Sequence, residues 1–121
     1  RLKAFLILGV VLSMGSCTMD KADPIVVVEP GYCDTVSISY ATDIEPIFQT
    51  NCSVGGCHDA GGAAGGYVLV THADIDGGWS QVICAIKHES GCSPMPKFQP
   101  KLADSVIQKL DCWDYQGRPN N

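Results

Sequence analysis

Cys52, Cys57 and His58, in the run NCSVGGCHDAGG, are the residues whose types and spacing best fit them for chemistry. The pattern is Cys, four residues, Cys, His. With two residues between the cysteines it would be the attachment signature of a c-type haem. That chemistry needs two thiols for the two vinyl groups and a histidine directly after the second thiol to ligate the iron. The adjacency of Cys57 and His58 meets the last demand. Gly55 and Gly56 lie inside the insertion, and glycine lets two extra residues bulge outward with little strain.

The same residues admit other readings. Cys52 and Cys57 could close a disulfide in a haem-free domain. A zinc site would have to bend the neighbouring Cys57 and His58 onto one tetrahedral ion, and no second ligand pair is spaced to complete it. A nucleophilic Cys and His pair would lack an oxyanion site and an orienting third group. A distal iron ligand is available in Met95, between Pro94 and Pro96 in SPMPK and 37 residues after His58. Two prolines stiffen that loop, and a rigid loop holds a weak thioether ligand in place. His72 and His88 compete for the role, and an open sixth position is the remaining case.

Several elements must position these groups. TDIEPIFQT reads as a helix running directly into the cysteine motif: Thr42 or Asp43 as cap, Pro46 in the first turn, and Ile44, Ile47 and Phe48 on one face. DAGGAAGG reads as a loop passing close to something bulky. YVLV is a strand or an extended pocket wall, and WSQVICAI a short helix with Val82, Ile83 and Ile86 on one side. LADSVIQKLDCWDYQGRP is a closing helix with a stripe of Val106, Ile107, Leu110 and Trp113, stopped by Gly117 and Pro119. VSISY alternates as a short strand would. The domain from Tyr40 onward is small enough that a buried cofactor or disulfides would have to supplement its core.

The first residues speak to compartment. Arg1 and Lys3 precede an apolar run from Ala4 to Leu12 and the small residues of SMGSC, the layout of a secretory signal. LSMGSC also resembles a bacterial lipobox, which makes Cys17 a lipidation site, with Met14 an imperfect match. The expected organisation is a signal peptide over 1–16, a lipidated cysteine and tether over 17–40, and a domain over 41–121. From Cys17 onward six Lys or Arg face thirteen Asp or Glu, a net charge of −7 with no basic patch, which argues against nucleic acid as a partner. The remaining six cysteines read as a covalent framework. Cys84 and Cys92 enclose seven residues just before the Met95 loop, and Cys33 and Cys112 would then pair, although four cysteines allow three connectivities.

YATDIEPIFQTNC and CH, then MPK, then VIQKLDCWDYQGRPNN resemble a single-haem cytochrome c of the kind found as exported lipoproteins in Bacteroidetes-type bacteria. The likeness covers Tyr40 to Asn121. It implies a mostly α, cytochrome c-like small helical domain around one covalent haem c, with a short extended N-terminal tether. Cys52 and Cys57 would form thioethers, His58 would be the proximal ligand and Met95 the distal one. Ile44, Phe48, Leu69 and Trp113 would form an apolar shell around the group. The departure from the family is the four-residue spacing, which bears on the Cys52 thioether.

The expected function is that of an electron carrier and not an enzyme, anchored by lipid to the cell envelope and exchanging electrons with redox proteins there. A free shuttle and an electron-entry module of a larger enzyme are alternatives within that class. The alternative from a different class is a haem-free, disulfide-stabilised binding or structural lipoprotein in which all six cysteines pair.

Overall fold

A computed structural model describes residues 31–121; the segments expected as signal peptide and lipidated Cys17, and most of that expected as a tether, lie outside the described residues. Five helices occur in chain order: α1 (Tyr32–Thr35), α2 (Glu45–Asn51), α3 (His72–Gly77), α4 (Trp79–Lys87) and α5 (Asp104–Tyr115). A π-helical turn (Tyr40–Ile44) leads into α2, and a 3-10 turn (Ala64–Gly66) sits between α2 and α3. The fold is mostly helical, with no strand among the described residues, and no described helix is long and apolar enough to cross a membrane.

The segment expected as a strand, VSISY, is extended at Val36–Ser39 but pairs with no other strand. Its polar groups are met by the far end of the sequence instead. The Ile38 amide donates to Gln116 Oε1 at 3.2 Å, while Gln116 Nε2 donates to the carbonyls of Cys33 and Val36 at 2.8 and 2.7 Å. Tyr40 and Ala41 donate to the side chain and backbone carbonyls of Asn121 at 2.9 and 3.0 Å. A backbone satisfied by side chains has no need of a ladder.

The helix before the motif starts earlier than its sequence pattern indicates. Ser39 precedes the π turn, and its amide donates to Asp43 Oδ2 at 3.0 Å, so Asp43 acts back across the turn and does not cap α2 itself. Pro46 falls in the first turn of α2, where its missing N–H costs no helical bond. Ile44 and Phe48 are fully enclosed, and Ile47 packs against them from a half-buried position.

A capping box starts α3: the Asp74 amide donates to Thr71 Oγ1 at 3.3 Å and the Thr71 amide to the Asp74 carboxylate at 2.9 Å. The stripe of α4 turns inward, with Trp79, Val82 and Ile86 buried and Ile83 partly so. In α5, Ile107, Leu110, Cys112 and Trp113 are buried and Val106 is half-buried. Gly117 then leaves the helix at φ +82°, a conformation open to glycine.

Trp113, with no exposed surface, is the hub of the core. Its ring lies edge-on to Trp79 at 5.2 Å and to His72 at 5.6 Å, with Tyr40 tilted against it at 6.0 Å, geometries that favour aromatic pairs. The indole Nε1 donates to the Pro119 carbonyl at 3.1 Å. Ion pairs brace the periphery: Lys87 to Asp111 at 2.7 Å joins α4 to α5, Lys109 to Asp43 at 3.0 Å joins α5 to the π turn, and Arg118 reaches Asp76 at 2.6 Å and also pairs with Asp114.

Two disulfides staple this core. Cys33–Cys112 ties the N-terminal segment to α5, and Cys84–Cys92 ties α4 to the turn that follows it. Bridges of this kind form and persist in an oxidising, exported environment.

Candidate functional site

The motif loop begins where α2 runs out. The amides of Cys52 and Ser53 both donate to the Phe48 carbonyl at 2.8 Å, which tightens the last turn and directs the Cys52 side chain into the core. The chain then folds back: Cys57 donates to the Val54 carbonyl at 2.9 Å and His58 to the Cys52 carbonyl at 3.1 Å. Asp59 Oδ1 organises the next turn by accepting from the amides of Gly56 and Gly62 at 3.1 and 2.9 Å. Gly62 passes so close that a Cβ there would stand 2.7 Å from the Cys57 carbonyl oxygen. The glycine-rich loop therefore does pass close to something, namely the motif's own backbone.

The other wall is the extended YVLV segment. Leu69 donates to the His58 carbonyl at 2.8 Å, Ser53 Oγ donates to the Leu69 carbonyl, and His58 Nδ1 lies 3.0 Å from the Tyr67 carbonyl. A carbonyl only accepts, so Nδ1 carries the proton and Nε2 is the ring nitrogen with the free lone pair. Leu69 is buried, whereas Val54, Tyr67 and Val70 are exposed around the loop.

Within this frame the two thiols occupy different environments. Cys52 is 8 % exposed and belongs to the hydrophobic core; Cys57 faces solvent, and neither is bridged. Burial pushes the Cys52 thiol up to about 11, with the neighbouring Cys57 acting in the same direction. Met95 is half-buried after α4, its amide donating to the Ala85 carbonyl at 3.0 Å and its carbonyl accepting from His88 Nε2 at 3.0 Å. His72 Nε2 donates to the Arg118 carbonyl at 2.9 Å. Each of the three histidines is thus held by a backbone carbonyl.

These positions correct the expectation of one covalent haem c. Two disulfides account for Cys33, Cys112, Cys84 and Cys92, and among the described residues no three His, Cys, Asp or Glu side chains are gathered to hold a metal ion. Cys52 is enclosed in the core, whereas Cys57 is exposed. Ile44, Phe48, Leu69 and Trp113, expected as a shell around the group, pack with one another as the core itself. The residues present do not fit the group. The rival expectation that all six cysteines pair also needs amendment, since Cys52 and Cys57 are free thiols.

Asp59 and Tyr67 shape the loop and were not singled out by sequence reasoning. Asp59 had a legible signal, an aspartate among glycines, where a short carboxylate readily accepts from nearby turn amides. Tyr67 had none, because it contributes through its carbonyl. No family model, characterised protein or solved structure matches this chain.

Proposed function

We propose that this chain is a haem-free, disulfide-stabilised domain of an exported lipoprotein, serving as a binding or structural module. The observation that supports it is a core complete in its own side chains: Phe48, Trp79 and Trp113 fill the space between helices, and two disulfides supply the stabilisation that so small a domain otherwise lacks. The resemblance to single-haem cytochromes c is read as one of scaffold, a helix entering a Cys-His loop and a closing helix, without the prosthetic group. Of the two roles, binding is favoured by the exposed Val54, Tyr67 and Val70 around the motif loop, whose backbone is held by hydrogen bonds on both sides. A rigid loop presenting apolar side chains loses little entropy when it meets a partner.

The test is an intact mass under non-reducing conditions, on protein exported from a host competent in c-type haem maturation. The expected mass is that of the mature chain with its lipid on Cys17, less the four hydrogens of two disulfides, with two thiols alkylated after unfolding and no visible absorption. A covalent adduct on Cys52 and Cys57, or a redox-sensitive visible spectrum, overturns the reading.

A further inference from the structure

The geometry of Cys52 and Cys57 points to a dithiol that undergoes thiol–disulfide exchange with small disulfides, Cys57 being the site of attack and Cys52 the thiol that completes the reaction. The inference rests on the haem-free reading above, since both thiols must carry no adduct.

Three observations lead to it. The hydrogen bond from the His58 amide to the Cys52 carbonyl, 3.1 Å, joins the residue after one cysteine to the other cysteine itself. That bond folds the chain back so that the backbones of the two cysteines approach each other, the first requirement of a bridge. The turn between them is unpacked at Gly55 and Gly56, where a Cβ would meet nothing within 4 Å, so the loop has freedom to adjust as a bridge closes. Finally, the pair is divided in access: Cys57 is exposed and Cys52 is buried, while the protein's other four described cysteines are already bridged. An exposed thiol near a buried one is the arrangement in which the first attacks a disulfide arriving from solvent and the second responds only from within.

The exchange proceeds in two balanced steps. The Cys57 thiolate attacks one sulfur of the external disulfide; that S–S bond breaks, a mixed disulfide forms on Cys57, and one external thiol leaves with the proton given up by Cys57. Cys52 then gives up its proton and attacks Cys57 Sγ; the mixed disulfide breaks, the Cys52–Cys57 bond forms, and the second external thiol leaves protonated. Two protein thiols are oxidised and one external disulfide is reduced to two thiols.

The experiment uses glutathione disulfide and the full chain, with thiols counted by alkylation and located by peptide mass. An intact mass taken beforehand separates the two readings: an adduct there removes the haem-free reading, whereas free thiols leave it standing. Wild type is expected to lose both thiols and gain a Cys52–Cys57 bridge. Cys52→Ser, or Cys52→Ala if the hydroxyl is not tolerated in the core, is expected to stop at glutathione on Cys57. Cys57→Ser, a change at an exposed position, is expected to react about tenfold more slowly or worse. Wild type that keeps both thiols, or Cys57→Ser that takes up glutathione at the wild-type rate, overturns the inference.

Discussion

Cys33 and Cys112 are bridged across 79 positions of sequence, and Cys112 has no exposed surface at all. The Cys84–Cys92 bridge spans only 8. Chain-entropy reasoning assigns about 4.5 kcal/mol to the long loop and about 2.6 kcal/mol to the short one. Replacing both members of the long bridge by alanine should therefore lower stability more than doing the same at Cys84 and Cys92, by roughly 2 kcal/mol in denaturant unfolding. Equal losses would show that the N-terminal segment is held by its hydrogen bonds and not by the bridge.

Trp113 meets three aromatic rings and the Pro119 carbonyl, so Trp113→Ala removes packing and leaves a cavity at the hub. The expected cost is about 3–5 kcal/mol, and the carbonyl of Pro119 loses its donor. Trp113→Phe, which keeps an aromatic ring but not the N–H, should cost less. Calorimetric or denaturant midpoints distinguish these outcomes.

Gln116 offers a sharper test of how the extended segment is held. It accepts from Ile38 and donates to Cys33 and Val36. Gln116→Leu should cost about 1–3 kcal/mol, since it strands backbone groups that no ladder rescues. The loss should localise: hydrogen exchange at Ile38 should accelerate while amides of α4 keep their protection.

Acid should destabilise the fold in a predictable direction. The Ser39 amide, with Lys109 second, holds the Asp43 carboxyl below the usual carboxylate range, and Arg118 does the same for Asp76. A depressed value means that the folded state binds the proton less readily than the unfolded one. The stabilisation is then fully present above roughly pH 4 and is lost as pH falls through the lower, folded-state values. Tm measured down the acid side should fall in that window, and Asp43→Asn should flatten the acid limb. A slope unchanged in Asp43→Asn would remove Asp43 from the account.

The Cys52 thiol, pushed up to about 11 by burial, holds on the order of 100-fold less thiolate at neutral pH than a thiol at the unperturbed value of 9.0. Iodoacetamide should accordingly label Cys57 in the native protein and reach Cys52 only after unfolding. Equal labelling of both in the native state would mean that Cys52 is not enclosed.

How much of this was legible beforehand differs from element to element. The stripes in α2, α4 and α5 were readable because burial on one helical face imposes a period, and Ile44, Phe48, Val82, Ile86 and Trp113 are buried accordingly. The capping box of Thr71 and Asp74 was present as a short local signal and passed over, so α3 was missed. The segment at Val36–Ser39 could not be read: its partners, Gln116 and Asn121, satisfy it through individual side chains, which leave no period at all. The motif misled for a related reason. Spacing reports that Cys57 and His58 are adjacent, but not that the end of α2 turns Cys52 inward while Cys57 stays in solvent.

The reliance of the Cys33–Ala41 segment on Gln116, Asn121 and Cys112 also has a temporal meaning. When a chain is threaded through an export channel, this segment emerges some 80 residues ahead of these three partners. It must wait, with Cys33 accessible to mispairing, until α5 and Asn121 have emerged. The short Cys84–Cys92 loop can close as soon as it emerges, but the long bridge can close only once α5 has followed, which makes the release of α5 the event that decides whether Cys33 finds its partner.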